Sequence, residues 1–176
     1  AFSFQDFDKL ITMCFAFLAF SCAASGTYIL NDLWDLDSDR QHPRKRNRPF
    51  ASMLLPIHYG LVVSVISLGM AFLLSAFVST GFALMLLLYV LLTTSYSWIL
   101  KTYVLIDVLM LSLLYTLRIL AGAVAAAIPA SSWLLAFSVF IFLSLALVKR
   151  CAELVSLKEA GKDGTRGRDY RVTDLV

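Results

Sequence analysis

Between residues 31 and 39 the chain reads Asn31-Asp32-Leu33-Trp34-Asp35-Leu36-Asp37-Ser38-Asp39, an acid cluster joined directly to an apolar segment. Five residues later the charge reverses, in Arg44, Lys45, Arg46 and Arg48. If the preceding helix runs on through residue 39, about 100° per residue puts Asp35 and Asp39 within roughly 60° of Asp32. Asn31 then sits beside Asp35, while Asp37 lies roughly 140° away, nearly opposite Asp32. Three carboxylates on one face repel one another unless a cation sits among them. Oxygen ligands of this kind suit Mg²⁺, which takes one or two protein carboxylates and fills its shell with water and phosphate oxygens. The expected chemistry is Mg²⁺ at Asp32, Asp35 and Asp39, with a diphosphate as its natural partner; the alternative is a solvated juxtamembrane helix whose acids pair with nearby bases, Asp39 with Arg40. A basic run at a membrane also binds anionic headgroups, so alone it would decide nothing; beside the acids it favours a phosphate clamp.

Other charges stand in or near apolar segments. Asp107 and Arg118 are eleven residues apart and fall within roughly 20° on one helical face, with Tyr115 close by. An arginine so deep should turn to the bundle interior. Two readings stay open for this pair: a charged network that joins helices, or a cavity lined for a phosphate. Trp98, before Lys101, reads as an interfacial aromatic. Lys149 and Glu153 are spaced i, i+4 and either brace their helix or belong to the site. Cys14, Cys22 and Cys151 form no metal or redox motif, and His42 and His58 read as loop and interface residues.

The elements that carry these residues follow from composition. Apolar residues make up 60% of the 176, too many for a water-soluble domain. Predominantly apolar stretches of roughly bilayer-spanning length lie at about 10–30, 54–78, 81–98, 103–127 and 131–149. The fold class expected is all-α, a polytopic transmembrane helix bundle forming a single domain over 1–176. Segment 31–53 holds five Lys or Arg and segment 149–176 holds seven, while the turns near 79–81 and 128–131 hold none. Five alternating spans put the loops 31–53, 97–102 and 150–176 on one face, which the basic excess marks as cytoplasmic. That places an integral protein in the plasma membrane, with no nucleic-acid partner expected. The small residues 121–127 predict close helix packing, and Pro129 suits the turn after them. Gly161, Gly164 and Gly167 predict a mobile final loop, and the approach to a further span at 170–176 predicts a longer parent protein.

The pattern Asn-Asp-x-x-Asp-x-x-x-Asp at 31–39, opening a loop after a span, resembles the UbiA superfamily of intramembrane prenyltransferases. The stretch Asp39-Arg40-Gln41-His42-Pro43-Arg44-Lys45-Arg46-Asn47-Arg48-Pro49-Phe50-Ala51-Ser52 is most similar to its phosphoribosyl-transferring branch. Tyr96-Ser97 followed by Lys101, Leu117-Arg118 with Ala121-Gly122-Ala123, and Lys149-Arg150-x-x-Glu153-Leu154 point the same way. The resemblance covers the whole chain but only the middle of the family, from its second span to the loop after its sixth, so five of about nine spans are expected here. The aromatic prenyltransferases of the superfamily carry a second Asp-rich motif where Lys149-Arg150-x-x-Glu153 stands. Met53 stands where the family commonly has glycine after Ala-Ser.

The resemblance implies transfer of 5-phosphoribose from phosphoribosyl diphosphate to a polyprenyl (decaprenyl-type) phosphate, releasing diphosphate. It implies Mg²⁺ on Asp32, Asp35 and Asp39, ordered by Asn31. Lys45, Arg46 and Arg48 would hold phosphates, with Lys101, Lys149, Arg150 and Glu153 closing the pocket and Arg118 facing the lipid phosphate. A homo-oligomer is compatible with all of this. The first alternative is a prenyltransferase of the same fold that joins a polyprenyl diphosphate to an aromatic or tetrapyrrole acceptor. The second is a non-enzymatic transporter or lipid-binding scaffold, whose signature would be helices broken at mid-membrane.

Overall fold

Lipid offers no hydrogen bonds, so an uncharged run crossing it must close its backbone bonds within itself, as a helix. The computed structural model of the protein describes residues 7–42 and 45–159. Its helices are α1 (Phe7–Trp34), α2 (Leu36–Gln41), α3 (Ile57–Ser75), α4 (Thr80–Trp98), α5 (Ile106–Ala125) and α6 (Ser132–Glu159). Single 3-10 turns lie at Lys45–Asn47 and Leu100–Thr102, and no strand occurs among the described residues. All but α2 are long and apolar enough to cross a membrane, which matches the five expected spans. The last boundary differs. α6 does not stop at 149 but runs through Glu159, so the loop expected at 150–176 begins as helix, and Arg150 and Glu153 are helical residues. The expected mobile glycines 161, 164 and 167 and the segment 170–176 lie outside the described residues, as do Pro43 and Arg44.

α1 is the centre of the bundle, with α3 along one flank and α4 and α5 on the other, while α6 touches only α5 among the described elements. Small side chains allow this. Ala19, Ala23 and Ala71 are fully buried against Phe82 and Leu86. A Cβ at Gly26 would stand 3.0 Å from Leu68 Cγ and 3.1 Å from the Ser64 carbonyl oxygen, so α1 and α3 meet almost backbone to backbone there. The run at 121–127 is inside only in part: Ala121 and Ala126 are buried, while Gly122 and Ala125 line a cavity. Ser79 caps α4, its Oγ accepting the Phe82 N–H at 3.1 Å. Ser112 of α5 donates to the Val139 carbonyl of α6 at 2.8 Å. The connections α1–α3 and α4–α5 emerge at one end of the bundle, where Trp34 and Trp98 meet edge to face at 5.1 Å.

Candidate active site

The acid segment is helical but interrupted. Asp35 separates α1 from α2, yet its N–H reaches the Asn31 carbonyl at 2.9 Å and its own carbonyl takes the Asp39 N–H at 2.8 Å. The helical register is therefore nearly kept, and the side chains are sorted by their partners. Arg48 Nη1 donates to Asp32 Oδ1 at 2.8 Å and to Asp39 Oδ2 at 2.7 Å. Asp35 instead forms an ion pair with Lys101, from the α4–α5 link. Asp37 is 95% exposed and meets only Arg40, at 3.8 Å, as its opposite placement requires. The expected group of three carboxylates around one ion is not formed, and no such group of His, Cys, Asp or Glu exists among the described residues. The site is a carboxylate pair, Asp32 and Asp39, with Asp35 drawn aside by a lysine.

Asp39 is the unusual member. It is 1% exposed, and its Oδ1 is buried with no hydrogen-bond partner. Lys45 Nζ stands 3.8 Å from that oxygen. A buried carboxylate oxygen without a donor is costly unless a cation stands beside it. Two carboxylates, one carrying an unpartnered oxygen, fit Mg²⁺, which needs no more than that from a protein when phosphates complete its shell. Burial works against the charge of Arg48, but Asp32 and Asp39 outweigh it and hold the guanidinium above its ordinary range. Arg48 is thus charged at every accessible pH.

The remaining candidates divide by location. Lys45, Arg46 and Lys101 share the acid end, Arg46 with an exposed side chain. Asn31 gives its carbonyl to the Asp35 turn and is half-buried there. Arg150 does not reach the acids. It is buried against the fully buried Asp107, with Nη2 on Oδ1 at 3.0 Å and Nε on Oδ2, and its Nη1 holds Glu153 Oε2 at 2.7 Å. Tyr96 also donates to Asp107 Oδ1, at 2.6 Å. Asp107, Arg150 and Glu153 therefore form a helix-joining network in place of the Asp107–Arg118 grouping weighed from the sequence, and Glu153 pairs with Arg150 rather than with the exposed Lys149. Burial and bidentate pairing explain why Arg150 is not a surface phosphate clamp.

Arg118 is separate again. Its Nη2 donates to the Tyr89 hydroxyl at 2.6 Å, and its guanidinium stacks 5.2 Å from the Tyr89 and Tyr115 ring centres. Tyr89 packs on Phe20, whose ring centre is 4.9 Å away. Phe20 lies twelve residues before Asp32 on α1, about 18 Å along the axis. Arg118 thus belongs to a different layer from the acids and does not converge on a phosphate held there. It borders a cavity of about 480 Å³ whose other walls include Met13, Phe17, Phe20 and Phe82.

A sequence signal for one of these pairings was available. Asp107 and Arg150 stand almost equally far from the turn around Pro129, so antiparallel helices bring that pair level. For Met53, φ is 63°, the left-handed region that glycine occupies without penalty. The glycine expected there from the family pattern thus has a backbone cause.

Residues 1–164 match the UbiA prenyltransferase family. The chain belongs to that family. As a member with five membrane-crossing helices, it is an integral membrane protein. It is 40% identical to the nodulation protein NoeC of Azorhizobium caulinodans over 90% of this chain and 52% of that protein. It is 36% identical to the decaprenyl-phosphate phosphoribosyltransferase of Mycobacterium tuberculosis, over 88% of this chain and 51% of that enzyme. A third relative, the protein y4nM of Sinorhizobium fredii, is 39% identical over 94% of this chain and 32% of its own length. The chain thus spans about half the length, or less, of these relatives.

Proposed function

We propose that this UbiA-family chain carries the acid site of a Mg²⁺-dependent transferase. It would move 5-phosphoribose from phosphoribosyl diphosphate to a polyprenyl phosphate at the cytoplasmic face of the plasma membrane. The observation that carries this reading is the buried Oδ1 of Asp39, unpartnered among the described residues, set beside Asp32 with Arg48 and Lys45 against it and Lys101 held by Asp35 at the same end. The identity to phosphoribosyltransferases supports the choice of donor and acceptor.

Asp32 and Asp39 would hold the metal, which when bound neutralises charge on the leaving diphosphate. Lys45, Arg46 and Arg48 face the same end and would bind phosphate oxygens, Arg48 in exchange for part of its hold on the acids. Lys101, kept near by Asp35, would meet the diphosphate from the other link. An oxygen of the lipid phosphate forms the new bond to C1 of the ribose while the bond from C1 to diphosphate breaks, the electron pair leaving on diphosphate. The attacking oxygen is already anionic, so no side chain need act as a strong base, and catalysis rests on positioning and electrostatics. The apolar cavity beside Arg118 would receive part of the polyprenyl chain.

The test uses membranes holding the complete protein, given labelled phosphoribosyl diphosphate and a polyprenyl phosphate, with Mg²⁺ or with EDTA. Label is expected in the lipid phase only with Mg²⁺. No transfer from folded protein overturns the reading and turns attention to polyprenyl diphosphates with aromatic acceptors.

A further inference from the structure

Lys101 reaches Asp35 from a link that is only partly packed. Tyr103, Val104 and Leu105 are all exposed, while the turn at Leu100–Thr102 is half-buried against α4 and α5. The two ends of the link are tied together. Tyr96, in the last turn of α4, donates to Oδ1 of Asp107 in the first turn of α5, and Arg150 of α6 grips both oxygens of the same carboxylate. The link is thereby closed by a three-residue staple across three helices. Asp107 is fully buried, so its charge is tied to these partners with no water to replace them.

Between the staple and Lys101 the backbone is strained. Leu105 has φ 68° and ψ −44°, and the Ile106 N–H donates to the Val104 carbonyl at 2.9 Å. That is a γ-turn with a left-handed centre, a rare form that a leucine adopts only when its surroundings over-determine it. Here Asp107 begins two residues later, already locked. The strained turn redirects the chain between Lys101 and the locked helix, and the staple fixes the helix ends on either side of it.

We propose that Tyr96 and Asp107 are positioning residues: they hold the 99–105 link, through the turn at Leu105, so that Lys101 stands over the acid site. For its catalytic consequence this rests on the transferase reading above; for its geometry it does not. Neither residue touches substrate. They act through Lys101, which makes the ammonium's place at the site a property of α4, α5 and α6 together rather than of the link alone. Arg150, assigned from sequence to the pocket, then serves the site at second hand.

Two measurements on the complete protein test this. In the first, Cys14, Cys22 and Cys151 are replaced by serine, and Asp35→Cys and Lys101→Cys are joined by a bifunctional thiol reagent. With the native ion pair removed, the link's position depends on the staple. Tyr96→Phe, which deletes one hydroxyl and keeps the ring, is expected to slow crosslinking about tenfold, the factor set by one hydrogen bond to a charged acceptor. Unchanged crosslinking overturns the proposal. In the second, Tyr96→Phe is expected to raise KM for phosphoribosyl diphosphate about tenfold with little change in kcat, and to add nothing in a Lys101→Ala background. Costs that add in the double variant overturn the proposal, because a residue acting through Lys101 has nothing left to act through. Should the unsubstituted protein transfer no phosphoribose, the transferase reading fails, and the crosslinking result still decides the positioning role.

Discussion

Replacing Arg48 by alanine removes the one side chain among the described residues that joins the loop after α2 to both carboxylates of the site. Two charge-assisted hydrogen bonds, 2.8 Å to Asp32 and 2.7 Å to Asp39, disappear together. Breaking a buried pair and leaving its partner charged costs about 3–5 kcal/mol. Arg48 is 28% exposed at its side chain, and Lys45 stays 3.8 Å from Asp39, so water and that lysine offset part of the loss. The lower figure, about 2–3 kcal/mol, is the expected destabilisation. Melting in detergent, followed by the fluorescence of Trp34 and Trp98 beside the site, should show a midpoint lower by about 5–10 °C. Both bonds come from one nitrogen, Nη1, so Arg48→Lys should recover about half of the loss. The alanine variant also frees the acids for a metal. Mg²⁺ at a hundredfold excess over its Kd should then restore about 2.7 kcal/mol, and should do nothing when Asp39→Asn is added. An Arg48→Ala protein that melts with the wild type would refute the idea that this pairing holds the site together. Equal recovery by Mg²⁺ with and without Asp39 would refute the metal assignment.

Three further outcomes follow from the same geometry. Arg150→Ala should cost about 3–5 kcal/mol in the same melting assay, because Asp107 is left charged and buried, whereas Arg150→Met with Asp107→Leu should recover most of it. Met53→Gly should stabilise by about 1 kcal/mol, since φ 63° suits glycine and burdens methionine; a destabilised variant would show that the side chain, not the backbone, decides that position. Asp37→Asn should leave stability within about 0.5 kcal/mol and transfer activity unchanged, because the side chain is almost wholly in solvent; a large loss of activity would place Asp37 in the site after all.

The membrane spans were legible, though not the end of α6, because each is a local property: a predominantly apolar run long enough to cross lipid must become a helix whatever its neighbours do. The separation of Asp37 from the other acids was legible for the same reason, through the helical period alone. The family pattern marked residue 53 as a departure from glycine, but only the structure showed the positive φ that glycine would suit. The Ala19, Ala23 and Gly26 seam went unnoticed, since small residues mark a contact only when the facing helix is known. Tertiary structure decided which cation each carboxylate receives. Asp35 went to Lys101, Asp32 and Asp39 to Arg48, and Asp107 to Arg150, and those choices broke the expected triad and withdrew Arg150 from the pocket. Charge pairing depends on distance and burial in three dimensions, which residues far apart in the chain share only after the helices have packed.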